Sequence, residues 1–217
     1  QQLMVLREYV DIINPDLFVL QFCTNDFSNN SLYLESPSIV RNQKNLRPYL
    51  DGDEVVYRLP AWHWYRVLYR YSHIFRFLDR KWQAYQYRDY NGYIPPAEKD
   101  RQGMDKEILR AELLTQRLLG MMTAAVPKDT KTLVFTCSTK KQADTERWLR
   151  VTEAAGFIPL PGVSMAVEKA EDSGVVVRAA DGSHWGPRGH RIAGETLSLE
   201  INRLLDEYRA GSAGSAY

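Results

Sequence analysis

At 217 residues, with 44% hydrophobic and 12% aromatic side chains, the chain can bury a substantial core as one domain with an insertion, which excludes disorder as the default. A formal charge of +1 and a pI near 7.9 give no global attraction for nucleic acid, and no apolar run is long enough to span a bilayer or is flanked like a secretory signal. Cys23 and Cys137 are too few for a disulfide framework and lack metal-ligand spacing, so both read as buried thiols, no metal or cofactor is expected, and the compartment stays open.

Residues 1 to 13 read as the last turns of a helix that Asn14 and Pro15 stop. Asp16 to Cys23, DLFVLQFC, is a nearly continuous apolar run, the pattern of a strand buried on both faces of a parallel sheet. A helical insertion is expected over about 32–104. Within it, Trp64, Val67 or Leu68, Tyr71, Phe75, Leu78 and Trp82 fall at helical spacing, flanked by Arg58, Arg66, Arg70, Arg76, Arg80, Lys81 and Arg88. Three readings fit that amphipathic helix: a subdomain packed on the core, a lid over the substrate with Trp62, Trp64 and Tyr65 as its candidates, or a basic aromatic face on a membrane surface. Aromatics on one helical stripe argue against an RNA-stacking platform.

Beyond the insertion, the spacing of Ile108, Ala111, Leu114, Leu118, Met121 and Ala125 predicts a helix, and Thr132 to Cys137 (TLVFTC) a second buried strand. Gln142 to Ala155 reads as a helix closed by Gly156, and Gly174 to Arg178 (GVVVR) as a short third strand. The last helix starts near Pro187 and runs to about Tyr208, with Ala193, Leu197, Ile201, Leu204 and Leu205 on one face. The expected domain is therefore 1–209, an α/β fold, followed by a flexible tail or linker at 210–217.

In open parallel sheets, reactive groups gather outside the carboxyl ends of the strands, so the residues after DLFVLQFC and GVVVR are the ones to inspect. They are Thr24, Asn25 and Asp26, and then Asp181, Gly182, Ser183 and His184. A carboxylate three residues before a histidine in a turn can accept the proton of one ring nitrogen and leave the other free as a base. An Asn amide at a strand end can donate to the oxyanion of a tetrahedral intermediate. The alternatives are an ordinary surface turn at 181–184 and a turn-capping role for Asn25 and Asp26. His190 reads as structural, and His63 and His73 lack partners at metal spacing.

Cys23-Thr24-Asn25-Asp26 resembles the Gly-x-Asn-Asp block of the SGNH/GDSL hydrolases, and Asp181-Gly182-Ser183-His184, followed by Trp185 and Gly189-His190, resembles their Asp-x-x-His block. The likeness covers roughly residues 1–31 and 105–208. It implies a three-layer α/β/α, flavodoxin-like fold with a parallel sheet and hydrolysis of carboxylic esters. Asn25 would be an oxyanion donor, His184 the general base and Asp181 its orienting partner, with Thr24 and Asp26 in support. A small-molecule or glycan ester is the implied substrate, and the resemblance leans towards an extracytoplasmic location.

Two departures stand out. The glycine before the Asn block is Cys23 here, and no Gly-Asp-Ser block occurs anywhere. Ser183 adjoins His184, and Ser28, Ser31 and Ser138 lack the sharp strand-to-helix turn of a nucleophile elbow. In the resembled family the serine-bearing strand pairs beside the strand equivalent to DLFVLQFC. Without it that apolar strand has an open edge of the kind that aggregates, and the chain opens in mid-helix at Gln1-Gln2. The expectation is that these strands and the nucleophile lie outside this chain, on a preceding segment or a second chain. A polysaccharide O-acyltransferase or deacetylase would use the same residues. A non-catalytic binding module is the reading if the chain is complete.

Overall fold

The computed structural model describes residues 1–31, 34, 47–52, 54–58, 63–78, 81 and 101–214. In chain order its elements are α1 (Gln2–Ile13), β1 (Leu17–Phe22), α2 (Asp26–Asn29), β2 (Arg47–Asp51), β3 (Glu54–Arg58) and α3 (His63–Tyr71). Then follow α4 (Arg101–Ala125), β4 (Lys131–Thr136), α5 (Gln142–Ala154), β5 (Ile158–Pro159), α6 (Pro161–Asp172) and α7 (Pro187–Gly214). They fall into two compact units, Gln1–Ile12 with Asn25–Ala125, and Ile13–Thr24 with Val126–Tyr217.

The second unit is built on a parallel three-stranded sheet in the order β1-β4-β5, so the protein is a mixed α/β chain. Asn14, in the left-handed region at φ 44, and Pro15 end α1 and turn the chain into β1. The pairing runs from Leu17 opposite Lys131 to Phe22 opposite Thr136. It is tied at its start by the Thr130 hydroxyl, which donates to the Pro15 carbonyl at 2.6 Å. Thr132, Leu133 and Val134 are consecutive buried residues of β4, as a strand covered on both faces requires. Leu133 packs into a core with Leu160, Val163 and Val167 at the start of α6, Val177, Trp185 and Ala193 of α7. The other edge of β1 has no partner strand among the described residues.

GVVVR is not a strand of the sheet: Gly174 (φ 88) and Val175 donate back to Glu171 and Ala170 and close α6, and only Arg178 forms an isolated bridge, to Trp185. Three consecutive valines favour a strand only where a neighbour can pair with them, and here Val177 enters the core while Val176 is exposed. The third strand is Ile158–Pro159 instead, with α6 directly after it, opened by Pro161 at its first position and buried through Val163 and Val167. Helix α7 continues to Gly214, past the expected end near Tyr208.

Cys23 and Cys137 are not thiols but a disulfide, with their Cα atoms 5.3 Å apart. The reason is register. Phe22 and Thr136 are paired, so the residues that follow them are neighbours across adjacent parallel strands, a fact that pairing alone decides.

In the first unit, the insertion is not wholly helical: β2 and β3 form an antiparallel hairpin, Asp51 opposite Glu54, with Gly52 at φ 58 in the turn. The helix expected through 64–82 is interrupted at Ser72, whose hydroxyl accepts the Phe75 N–H at 3.1 Å and caps a second helical stretch at 73–78. Trp82, Arg80 and Arg88 lie outside the described residues. Helix α4 buries Ala111, Glu112, Thr115, Leu119 and Met122, a face rotated from the expected stripe. Thr115 explains the rotation in part: it is fully buried, and its hydroxyl accepts the Asn30 amide at 3.2 Å, which fixes the loop after α2 against α4.

Candidate active site

The turn at 179–184 is held by backbone before any side chain acts. Ala179 N–H donates to the His184 carbonyl at 2.8 Å and Gly186 N–H to the Val177 carbonyl at 2.7 Å, so the chain doubles back on itself. Gly182 takes φ 71 within this turn, where a side chain would be strained. A Cβ on Gly186 would lie 2.9 Å from the Arg178 carbonyl oxygen, and one on Gly189 2.5 Å from that of Val177, so the close approach requires glycine at both. Trp185 anchors the base of the turn in the core. Its ring stacks on Phe135, with centroids 6.3 Å apart, and meets His190 edge-on at 5.9 Å, which gives His190 a packing role.

On that frame Asp181 does two things. Its Oδ1 accepts the backbone N–H groups of Ser183 at 2.9 Å and His184 at 3.0 Å, and its Oδ2 lies 2.5 Å from His184 Nδ1. These bonds, led by the His184 backbone N–H, hold its carboxyl well below the usual carboxylate range, so it is an anion that keeps the proton on Nδ1. Among the described residues Nε2 makes no hydrogen bond, and the His184 side chain is 81% exposed. The geometry is that of an oriented base whose free nitrogen is open to a reactant.

The four serines weighed as nucleophiles are all occupied or misplaced. Ser183 Oγ lies 3.2 Å from Nδ1, the nitrogen already facing the carboxylate. Ser138 Oγ donates to Glu168 at 2.7 Å, Ser28 Oγ donates to the Asn25 carbonyl at 2.9 Å, and Ser31 is buried with its hydroxyl accepting the Leu34 N–H.

Asn25 belongs to the first unit and Asp181 and His184 to the second. It stands at the N-terminus of α2, where its carbonyl accepts the Asn29 N–H, but its side-chain amide makes no capping bond and is exposed. The capping alternative is therefore not used. Asp26 is the first residue of α2, and Thr24 follows the disulfide-bonded Cys23. Of the lid candidates, Trp62 lies outside the described residues, while Trp64 and Tyr65 are in α3 with the Trp64 ring exposed.

Sequence reasoning missed the residues that brace the dyad turn. Arg178 donates through Nε and Nη2 to both Glu171 oxygens at 2.8 Å, and its Nη1 reaches the Ser183 carbonyl at 3.3 Å. Lys140 closes the network on Glu171 at 2.8 Å. One turn earlier on α6, Glu168 is buried and accepts from the Ser138 hydroxyl and from both the backbone N–H and the hydroxyl of Thr139, pinning the loop after β4. Burial pushes the Glu168 carboxyl up, but the Thr139 and Ser138 hydrogen bonds outweigh it and the net direction is down. The available signals were a carboxylate among the apolar positions Val163 and Val167 and an arginine closing an apolar run just before Asp181.

The Arg178 hydrogen bonds, followed by that of Lys140, lower Glu171 to about 2. A carboxyl lowered in the folded state contributes stability that is complete above its unfolded pKa, about 4.3, and is lost as pH falls towards the folded value. Between about pH 4.5 and 2 the brace is therefore expected to loosen, read as lower protection of the Ser183 and His184 amides against exchange relative to their intrinsic rates. Arg178→Gln should raise that exchange already at neutral pH and flatten its acid dependence; an unchanged profile would show that the brace does not hold the turn.

A cleft of about 480 Å³ opens between α5 and α6, lined by residues that include Thr139, Gln142, Pro161, Met165 and Glu168, but neither Asp181 nor His184 borders it. Its buried carboxylate is already committed to the loop after β4. Among the described residues no group of His, Cys, Asp and Glu is placed to hold a metal ion. Comparison with protein families, with curated proteins and with solved structures returns no match to this chain.

Proposed function

We propose that this chain supplies the acid–base and oxyanion parts of a serine ester hydrolase of the SGNH type, with the nucleophilic serine outside this chain. The carrying observation is the Asp181–His184 pair, 2.5 Å apart on Nδ1 with Nε2 open. In this reading the serine hydroxyl attacks the ester carbonyl while His184 Nε2 takes its proton, the Asn25 amide donates to the oxygen that becomes negative, and His184 returns the proton to the departing alcohol. Water then repeats the sequence on the acyl-serine and releases the acid. The proposed fold is the three-layer flavodoxin-like one, its first strands pairing on the open edge of β1. That edge is the support for a serine-bearing strand supplied from elsewhere.

The exposure of His184 favours a glycan ester over an ester enclosed in an apolar tunnel, and a polysaccharide O-acyltransferase would differ only in the hydroxyl that receives the acyl group. The disulfide supports an oxidising, extracytoplasmic compartment, where such bonds persist. The test is labelling. The protein that includes the serine-bearing segment is expected to react with a serine-directed fluorophosphonate and to hydrolyse short aryl and acetyl-glycan esters, while this chain alone does neither. Labelling of this chain alone at Ser28, Ser31, Ser138 or Ser183 would refute the division of the machinery.

A further inference from the structure

The amphipathic segment of the insertion presents an exposed face. Trp64, Val67, Leu68 and Tyr71 recur at the three- and four-residue spacing of one helix face in α3, and Ile74, Phe77 and Leu78 repeat it in 73–78. All seven are exposed, Tyr71 at 74% and Ile74 at 73%, whereas Tyr69 and Phe75 on other positions are half-buried. Helical hydrogen bonding runs into and out of Ser72, from its N–H to the Leu68 carbonyl and from the Arg76 N–H to its own, so the two stretches follow one another closely.

Charge identifies the occupant. From Val55 to Leu78 there is no Asp or Glu, while Arg58, Arg66, Arg70 and Arg76 are present; Asp79, Arg80 and Lys81 follow. The Arg70 guanidinium lies over the Tyr71 ring at 5.6 Å and the Lys81 ammonium over the Phe77 ring at 5.7 Å, so cations sit beside the exposed aromatics. A protein partner's apolar groove would satisfy the aromatics but leave the cations to find acids of their own. An anionic bilayer meets both demands at once, with rings at the headgroup level and arginines on the lipid phosphates. We propose that this face docks on an anionic lipid bilayer and holds the protein peripherally at the membrane surface. No helix among the described residues is long and apolar enough to cross a membrane, so the attachment provided by this segment lies in the interface plane.

The experiment is partition of the purified protein onto unilamellar vesicles of phosphatidylcholine with and without phosphatidylglycerol, read by co-sedimentation and by Trp fluorescence. Binding is expected on the anionic vesicles only and should weaken with salt. Arg70→Gln and Arg76→Gln should each cost roughly fivefold in partition, and the Trp64→Ala, Tyr71→Ala, Phe77→Ala variant about a hundredfold or more. Because these aromatic side chains are exposed, circular dichroism should show that the triple variant keeps its fold. Equal binding to both vesicle types, no binding to either, or undiminished binding of the triple variant would overturn the proposal. So would self-association of the free protein through this face without vesicle binding, which makes a second copy the occupant.

Discussion

Under the proposed mechanism, replacing His184 with alanine is expected to lower ester turnover by roughly 10⁴- to 10⁶-fold, the scale of losing the base of a serine triad. Nε2 is the only ring nitrogen open to a reactant, and Asp181 fixes the proton on the other. Asp181→Asn should cost about 10⁴-fold, because an amide can present its N–H to Nδ1 and stabilise the wrong tautomer. Asn25→Ala removes one oxyanion donor and should cost less, about 10²- to 10³-fold, in turnover more than in KM. Steady-state kinetics on an aryl acetate decide the matter. Losses below tenfold at His184, with the protein folded, would take the dyad out of the mechanism even if another ester-cleaving site were present.

Reducing the disulfide is expected to produce the largest change in stability. The bond joins residues 114 apart in sequence, and closing a loop of that length restricts the unfolded chain enough to stabilise the native state by about 4–5 kcal/mol in the chain-entropy estimate. Cys23→Ser with Cys137→Ser should therefore lower the melting temperature by roughly 10–15 °C. Guanidinium unfolding followed through Trp148 and Trp185, both buried in the second unit, checks the size of the effect. The same chain under reductant should match the double serine variant. Identical midpoints with and without reductant in the parent would mean that the two sulfurs are not joined.

Much of the framework was legible because short-range rules govern it. DLFVLQFC and TLVFTC are continuous apolar runs and became β1 and β4; Asn14-Pro15 and Gly156 ended helices where their backbone preferences require. Asp181 and His184 were legible for the same reason, since a turn of four residues brings a carboxylate to an imidazole with little help from the rest of the fold. GVVVR shows the limit of such rules. Its valines favour a strand, but whether a strand forms depends on a neighbour, and residues 174–178 instead close α6 and lead into the dyad turn.

By itself, then, the amino-acid order determined what local periodicity and turn chemistry can determine: the alternation of helices with two apolar strands, of which β4 is buried and β1 only in part, the dyad turn, and the aromatic and basic character of the segment from 55 to 78. Only the tertiary structure decided that Cys23 meets Cys137, because that depends on a register set by hydrogen bonds between strands more than a hundred residues apart. It alone decided that Arg178 and Glu171 brace the turn, since that ion pair depends on how the chain bends out of α6 and on Lys140 arriving from the loop after β4. The exposure of Trp64, Tyr71 and Ile74 was settled in the same way, because helical spacing defines a face but only packing determines whether anything covers it.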